Sequence, residues 1–199
     1  MLSPGLPVVL ASASPRRAEL LRGLNWSFDV AAPNVDESGK DGESPEEFCL
    51  RLAHDKAAIA ACSRGDALVI GADTAVVVNG LVLGKPTDFS DNMRMLALLS
   101  GRQHTVMTGL SVFLRGRSRG AVERTLVRFR ELDGAMIRAY AETGEGLDKA
   151  GGYAIQGRGA LLVSSIEGDY FNVVGLPLCR LWTMIEEVMG QSRETWLPK

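Results

Sequence analysis

The sequence predicts an α/β protein built on a mixed, twisted sheet with flanking helices. Short apolar runs rich in β-branched residues alternate with segments of helical apolar spacing, beginning with a strand at 7–12 and a helix from Pro15. Asn79-Gly80 between two such runs is a strong hairpin signal, and a longer hairpin is predicted over 104–129. Because hairpins join antiparallel strands, the sheet is predicted to be mixed rather than purely parallel.

Each helix and strand follows from a local signal. Ser14 before Pro15 marks the start of the first helix, and Ser44, Pro45 and Glu47 form a capping box for the second. In order, the predicted elements are strand 7–12, a helix from Pro15, strand 27–32, helix 45–62, two strands on either side of an acidic interruption at Asp73, helix 90–99, hairpin 104–129 with the basic segment 115–120 at its tip, helix 133–142, strand 159–168 and a final helix within 176–189.

Size, charge and cysteine content argue against several classes of protein. The chain of 199 residues is 46% hydrophobic and has no evident linker, so we expect one packed domain over 1–199. Its formal net charge of −2 argues against a surface that coats nucleic acid, and no apolar run is long enough to span a membrane. No signal-peptide pattern is recognised, and the three cysteines match neither a disulfide nor a zinc spacing. We therefore expect a cytoplasmic protein with reduced thiols.

The segment from Ser12 to Arg17 ends a strand and opens a helix, a position suited to binding phosphate. Backbone N–H groups at a helix start favour an anion, and Ser12 and Ser14 add hydroxyl donors. Arg16 and Arg17 add a charged fork that matches phosphate oxygens, although cations are otherwise unfavourable at a helix N-terminus. On these residues alone, a phosphate site and an ordinary helix start with solvated arginines are both open.

Asp73 follows the apolar run 68–72, so its carboxylate is expected at the carboxyl end of a buried strand. Open α/β sheets bind ligands at that edge. A buried carboxylate needs a partner such as a metal ion or a lysine, and the alternative is a structural aspartate that caps a turn. Asp36 and Glu37, after the second strand, would bring a second acidic group to the same edge.

Three further features are ambiguous from the residues alone. Lys85 in GKPT is not part of a P-loop, because its glycine spacing is one residue short and a proline follows, but it can reach a phosphate from a strand end. Lys56 has the pattern of an ordinary surface lysine on a helix. Residues 147–159 are glycine-dense, which suits a connector or a loop that closes on a ligand. Gln156 there pairs a donor with an acceptor.

The sequence resembles the Maf family, which is known for inhibition of septum formation and for nucleoside triphosphate pyrophosphatase activity. The resemblance extends from about Val8 to Met189, and five separate motifs occur in the order typical of the family. These motifs are LASASPRRAELL (10–21), GADT (71–74), GKP (84–86), LDKAGGYAIQG (147–157) and NVVGLPL (172–178).

Three positions resemble the dTTP/UTP pyrophosphatase branch of that family. Arg16 directly follows Pro15, Thr74 follows Asp73, and Gln156 stands in YAIQG. The branch that acts on 7-methyl-GTP typically has tryptophan after the proline, GSDQ in place of GADT, and a serine-lysine stretch in place of YAIQG. The segment AAPNVDES is closer to this second branch, but it carries little weight because it lies outside the specificity positions. A 7-methyl-GTP pyrophosphatase is kept as the alternative activity.

The resemblance also implies a fold related to the inosine triphosphate pyrophosphatases, with two lobes around a cleft, and commonly a homodimer. It implies that Asp73 is the catalytic acid/base residue. Glu37 and Asp73 would hold a divalent cation, Mg²⁺ or Mn²⁺, and Arg16, Thr74 and Gln156 would select the base. The residues implied to bind the triphosphate are Ser12, Arg16, Arg17, Lys56 and Lys85.

The resulting hypothesis is hydrolysis of dTTP or UTP, or of a modified pyrimidine nucleotide, by attack of water on the α-phosphorus. A triphosphate would supply the anion that Arg16 and Arg17 answer. The Gln156 carboxamide matches O4 and N3–H of uracil or thymine, but it matches cytosine when flipped, so a neighbour must fix it if CTP is excluded. The alternative from a different class is a nucleotide-binding regulator of septum formation that acts through a protein partner.

Overall fold

Residues 6–190 are described by a computed structural model of the chain, and the two ends of the predicted 1–199 domain lie outside the described residues. The chain divides into two compact units. Within the described residues, the first unit consists of 6–73, 108–123 and 175–190, and the second consists of 74–107 and 124–174.

Seven strands and six α-helices occur between residues 6 and 190. In chain order they are β1 (Val8–Leu10), α1 (Pro15–Gly23), β2 (Asp29–Val30), α2 (Pro45–Cys62), β3 (Leu68–Val78), β4 (Leu81–Leu83), α3 (Phe89–Leu99), β5 (Gln103–Leu114), β6 (Arg117–Phe129), α4 (Gly134–Glu142), β7 (Val163–Glu167), α5 (Tyr170–Val174) and α6 (Leu178–Met189). Two short 3₁₀ helices, Ala150–Gly152 and Gly157–Leu162, lie between α4 and β7. None of the helices in this described part is long and apolar enough to cross a membrane.

The strands form a mixed sheet, which confirms the predicted α/β class. The order of neighbouring strands is β2-β1-β3-β5-β6-β7, and β4 pairs with β3. β1 runs parallel to β2 and to β3, with Leu10 opposite both Val30 and Ile70. β4 is antiparallel to β3, and β7 is antiparallel to β6. The mixture arises because a hairpin adds β4 antiparallel to β3, and because the chain returns after α4 to pair β7 antiparallel with β6.

Alternating residues of β1 and β3 give the first unit two separate apolar clusters. Leu10 and Ile70 pack in one cluster with the buried stripe of α6, whose residues recur at helical spacing. Val9 and Val69 point the other way and pack in a second cluster with α2. The α6 stripe consists of Leu181, Met184, Ile185 and Val188. The sheet of this unit is therefore covered by helices on both faces.

The core of the second unit brings α3 and α4 together with the later strands. Its buried cluster includes Leu96 and Leu99 of α3 and Ile137 of α4. Phe129 and Tyr153 add an edge-to-face aromatic pair with ring centroids 4.7 Å apart. This packing anchors the glycine-dense segment 147–159 at Tyr153, which is buried.

Two helix starts differ in how they are capped. At α2 the predicted capping box is present, because the Ser44 hydroxyl accepts from the Glu47 N–H and Glu47 accepts from the Ser44 N–H. Helix α2 consequently has the predicted bounds. At α1, Ser14 occupies the N-cap position but its side chain makes no capping hydrogen bond. That helix start is held by different contacts, described below.

The predicted interruption of β3 at Asp73 is wrong. The strand runs unbroken from Leu68 to Val78, so the apolar residues after Asp73 belong to the same strand as those before it. Asp73 is only half-buried and has an ionic partner, so its charge does not force the strand to end. Relative to parallel β1, however, Asp73 lies three residues beyond the pair Leu10–Ile70, and so past the carboxyl end of β1.

Three other predicted bounds are corrected by turn geometry. The tip of the long hairpin is only Arg115-Gly116, both at positive φ as in a type I′ turn, and the rest of segment 115–120 is in β6. The predicted strand 27–32 is reduced to β2. The first four residues of the predicted strand 159–168 belong to the 3₁₀ helix that begins at Gly157, which has φ +65°.

Candidate active site

The guanidinium of Arg17 holds the loop between β1 and α1 in place through hydrogen bonds. Its Nε donates to the Gly175 carbonyl oxygen at 2.7 Å, and Nη1 donates to Ser12 Oγ and to the Ala72 carbonyl oxygen, each at 2.8 Å. Ser12 Oγ also accepts from the Ser14 N–H at 3.3 Å. One side chain thus joins the loop after β1, the residue before Asp73, and the start of the segment that leads to α6.

Arg17 is buried, which is unusual for an arginine. Burial lowers the pKa of its guanidinium, and the negative charge of Asp73 acts in the opposite direction. The neighbouring Arg16 is half-buried. The two adjacent arginines therefore have different environments: the Arg17 side chain is buried, whereas the Arg16 side chain is partly exposed to solvent.

Lys56 of α2 contacts both carboxylates that are predicted to bind the metal ion. Its Nζ donates to Asp73 Oδ1 at 2.6 Å and to Glu37 Oε1 at 2.7 Å. The Lys56 and Asp73 side chains are 12% and 14% exposed, whereas Glu37 is 55% exposed. The Lys56–Asp73 ion pair is therefore largely buried, and Glu37 lies on its solvent-exposed side.

Two glycines let α2 approach the sheet closely enough for this ion pair. A Cβ on Gly71 of β3 would lie 2.1 Å from the Ala53 carbonyl oxygen, and a Cβ on Gly109 of β5 would lie 2.2 Å from the Cys49 carbonyl oxygen. Neither position has room for a larger residue. Lys56 lies one helical turn beyond Ala53, so the same close contact brings its ammonium to the carboxylate on β3.

The segment before α2, which carries Glu37, is also tied to that helix. Arg51 of α2 donates through Nε and Nη2 to the Glu43 carboxylate, and through Nη2 to the Ser38 carbonyl oxygen at 3.0 Å. The Arg51 hydrogen bond lowers the pKa of Glu43 to about 2. This pairing holds the chain just after Glu37 against the helix that carries Lys56.

Glu37 and Asp73 are the two predicted metal ligands, and both contact Lys56. Between residues 6 and 190, no group of three or more His, Cys, Asp or Glu side chains is placed to hold a metal ion. Mg²⁺ is commonly bound by one or two carboxylates together with substrate phosphates and water. A two-carboxylate set near the loop that is predicted to bind phosphate is compatible with a cation that binds together with a triphosphate.

The remaining predicted residues belong to the second unit. Lys85 follows β4 and is exposed, and Thr74 follows Asp73 in β3 and is half-buried. Gln156 is exposed and precedes the 3₁₀ helix Gly157–Leu162, in an extended conformation with φ −92° and ψ 167°. Its side chain makes no capping hydrogen bond to that helix.

The backbone around Gln156 is fixed by two residues near the end of α4. Glu145 accepts from the N–H groups of Arg158 and Gly159 with its two carboxylate oxygens, each at 3.1 Å. Tyr140 accepts from the Ala154 N–H at 3.0 Å and donates to Glu145 at 3.3 Å. The segment is therefore an ordered loop with defined anchors.

A family described as Maf-like protein matches residues 7–188. This chain belongs to the Maf-like family. Three curated relatives named dTTP/UTP pyrophosphatase resemble this Maf-like chain over most of its length. The Moorella thermoacetica protein is 54% identical over 185 residues, 92% of this chain and 93% of the relative. The Vibrio cholerae protein is 52% identical over 172 residues, 86% and 92% of the two chains. The Symbiobacterium thermophilum protein is 50% identical over 180 residues, 90% and 93%.

A solved structure, that of the Staphylococcus aureus Ham1 protein, aligns with the Maf-like chain with a TM-score of 0.46 and 16% identity. The alignment covers 62% of this chain and 71% of that one.

The first unit of this Maf-like chain gathers most of the predicted site residues. Arg17 contacts Ser12 and the residue before Asp73, while Lys56 joins Asp73 to Glu37. The predictions for Lys85, Thr74 and Gln156 concern the second unit and are placed there individually.

Sequence reasoning missed the residues that support the site. Glu43, Arg51 and Glu145 were not singled out, because solvated charges are the normal expectation for such positions. For Glu43 a signal was available: it lies eight residues before Arg51, just ahead of the capping box. Glu145 accepts hydrogen bonds from the backbone N–H groups of residues 158 and 159, which the chain reaches after turning at the glycines 151, 152 and 157. No spacing rule predicts that contact.

Proposed function

We propose that this protein hydrolyses dTTP and UTP, including modified pyrimidine nucleotides of the same shape, to the nucleoside monophosphate and pyrophosphate. The observation that carries the proposal is the largely buried ion pair between Lys56 Nζ and Asp73 Oδ1, which are 2.6 Å apart. This pair lies just past the carboxyl end of β1, where the loop to α1 begins. The substrates are proposed from the names of the relatives and from Arg16, Thr74 and Gln156.

The triphosphate is bound, in this proposal, at the start of α1. Ser12 and Arg16 contact phosphate oxygens directly, with the helix N-terminus providing further attraction. Arg17 contributes its charge from beneath the loop and keeps the loop in shape through its three hydrogen bonds. Lys56 and Lys85 neutralise further phosphate charge. Lys85 is assigned this role because it is the lysine of the GKP motif.

Asp73 orients the attacking water and accepts its proton. The water oxygen bonds to the α-phosphorus, the bond from that phosphorus to the bridging oxygen breaks, and pyrophosphate leaves with the electron pair. The ammonium of Lys56, 2.6 Å from Asp73 Oδ1, holds the carboxylate that must accept the proton. Positioning and charge neutralisation supply most of the rate enhancement in such reactions.

Glu37 and Asp73 would hold the divalent cation, Mg²⁺ or Mn²⁺, at the phosphates. When bound, such a cation neutralises charge on the phosphate oxygens and on the departing pyrophosphate. Lys56, which contacts both carboxylates, must then share them with the cation or turn toward a phosphate oxygen.

Base selection is assigned to Arg16, Thr74 and Gln156. The Gln156 carboxamide donates to O4 and accepts from N3–H of uracil or thymine. We expect the chain to work as a homodimer in the cytoplasm, and its three free cysteines, two of them exposed, fit a reducing compartment.

The proposal is tested by following the products in water labelled with ¹⁸O. The protein is incubated with Mg²⁺ or Mn²⁺ and, separately, dTTP, UTP, CTP, GTP and 7-methyl-GTP. We expect pyrophosphate from dTTP and UTP, with the label in the monophosphate, because water attacks the α-phosphorus. Label in pyrophosphate, or release of orthophosphate, would contradict the mechanism. A preference for 7-methyl-GTP would contradict the substrate assignment.

A further inference from the structure

The ammonium of Lys56 contacts both carboxylates that are proposed to hold the divalent cation. Its Nζ is 2.6 Å from Asp73 Oδ1 and 2.7 Å from Glu37 Oε1. Two of its three N–H groups are therefore bonded to oxygens that the cation requires. A positive charge that belongs to the chain itself thus neutralises both proposed metal ligands.

The fold brings the Lys56 ammonium to Asp73 through closely packed elements. A Cβ on Gly71 of β3 would lie 2.1 Å from the Ala53 carbonyl oxygen of α2, so the helix backbone lies directly against the strand. The side chains of Lys56 and Asp73 are only 12% and 14% exposed, so little water competes for the ammonium. The attraction between the two charges is consequently stronger than on an exposed surface, where water and salt screen it.

A divalent cation and the Lys56 ammonium compete for these carboxylates. Oxygen ligands bind Mg²⁺ at about 2.0–2.1 Å, so a cation that contacts the same oxygens of Asp73 and Glu37 displaces Nζ from them. Each carboxylate has a second oxygen, but a cation held there lies close to a like charge in a place where little water separates the two. The cation therefore binds well only when the ammonium has turned toward another anion.

We propose that Lys56 makes cation binding depend on the nucleotide. Its ammonium neutralises Asp73 and Glu37 in the nucleotide-free protein and keeps their affinity for a divalent cation low. A triphosphate offers oxygens to which the ammonium turns on its flexible four-carbon stem, and the two carboxylates are then released to the cation. Coupling of this kind is reciprocal, so the cation also strengthens nucleotide binding. This inference rests on the proposed function, because it assumes that a triphosphate and a cation share the site.

The test measures Mn²⁺ binding to the nucleotide-free protein from the electron paramagnetic resonance signal of the unbound ion. Lys56→Met removes the ammonium and keeps an apolar stem, and we expect it to lower the dissociation constant for Mn²⁺ by about tenfold or more, within the range typical of coupled ligands. Lys40→Met is the matched control, because it removes an exposed lysine three residues after Glu37. It should change the constant by less than about twofold, since exposed charges are screened.

A double variant shows whether the added affinity belongs to this pair of carboxylates. When Asp73→Asn is combined with Lys56→Met, the gain in Mn²⁺ affinity should be lost, because only one charged ligand of the pair is left. If Lys56→Met fails to fold, Lys56→Gln replaces it in both proteins. The glutamine is uncharged but can still donate a hydrogen bond to Asp73, so it removes the competing charge with less disturbance of the buried carboxylate.

The outcomes distinguish this inference from the proposed function. A wild-type protein that releases pyrophosphate from no nucleotide overturns the proposed function, and the inference with it. Wild-type hydrolysis of UTP together with Mn²⁺ binding that is no tighter in Lys56→Met overturns the inference alone. So does an equal gain in Lys40→Met, or a gain that persists when Asp73→Asn is added.

Discussion

Arg17→Lys should destabilise the fold although it keeps the positive charge. The arginine fork reaches three acceptors from two nitrogens: the Gly175 and Ala72 carbonyl oxygens and Ser12 Oγ, at 2.7–2.8 Å. A lysine ammonium is a single point at the end of a flexible chain and cannot replace the fork. We expect at least one buried acceptor to lose its partner, at about 1–3 kcal/mol, in addition to the lost charge-assisted bonds.

The expected total loss is about 2–4 kcal/mol in the free energy of unfolding, measured from urea titrations by linear extrapolation. Arg16→Lys is the matched control, because it makes the same change one residue earlier at a half-buried position, and it should cost within about 0.5 kcal/mol. Equal stabilities for Arg17→Lys and Arg16→Lys would refute the structural role assigned to the guanidinium of Arg17.

Two further changes test the packing of α2 and the buried histidine of the second unit. Gly71→Ala places a Cβ 2.1 Å from the Ala53 carbonyl oxygen and should cost about 3 kcal/mol, whereas Gly65→Ala, with open space around it, should cost within about 0.5 kcal/mol; equal losses of stability in urea would contradict the close contact. Burial lowers the pKa of His104 to about 4, so the folded state binds fewer protons than the unfolded chain between pH 4 and about 6.5. The free energy of unfolding should therefore fall as pH falls through that window, by about 3 kcal/mol from this residue alone, and the slope should flatten in His104→Asn; an unchanged slope in that variant would contradict the assignment.

The sequence predicted well where a local signal determines the structure. The capping box at Ser44 and Glu47 gives α2 its start, and the Asn79-Gly80 turn lies where both residues can adopt positive φ. These signals depend on a few adjacent residues, so distant contacts do not alter them. The same holds for the α/β class, which follows from the alternation of apolar periods.

Prediction from sequence failed where a distant contact overrides the local pattern. In the sequence, Asp73 looks like a break in β3, because its ionic partner Lys56 is distant along the chain. The two adjacent arginines look like equivalent surface charges, but Arg17 is buried in the structure. Glu145 is an unremarkable loop residue until the chain returns to it through residues 158 and 159. In each case at least one partner lies 13 or more residues away, beyond the reach of helical or strand spacing.

The central claim is that Asp73 performs the chemistry on dTTP and UTP, and Asp73→Asn tests it directly. The variant keeps the size of the side chain and can still meet Lys56, but it cannot accept a proton from water. We expect pyrophosphate release from both nucleotides to fall by about 100-fold or more, with nucleotide affinity retained within about tenfold by calorimetry. Turnover close to that of the wild type in Asp73→Asn would contradict the account.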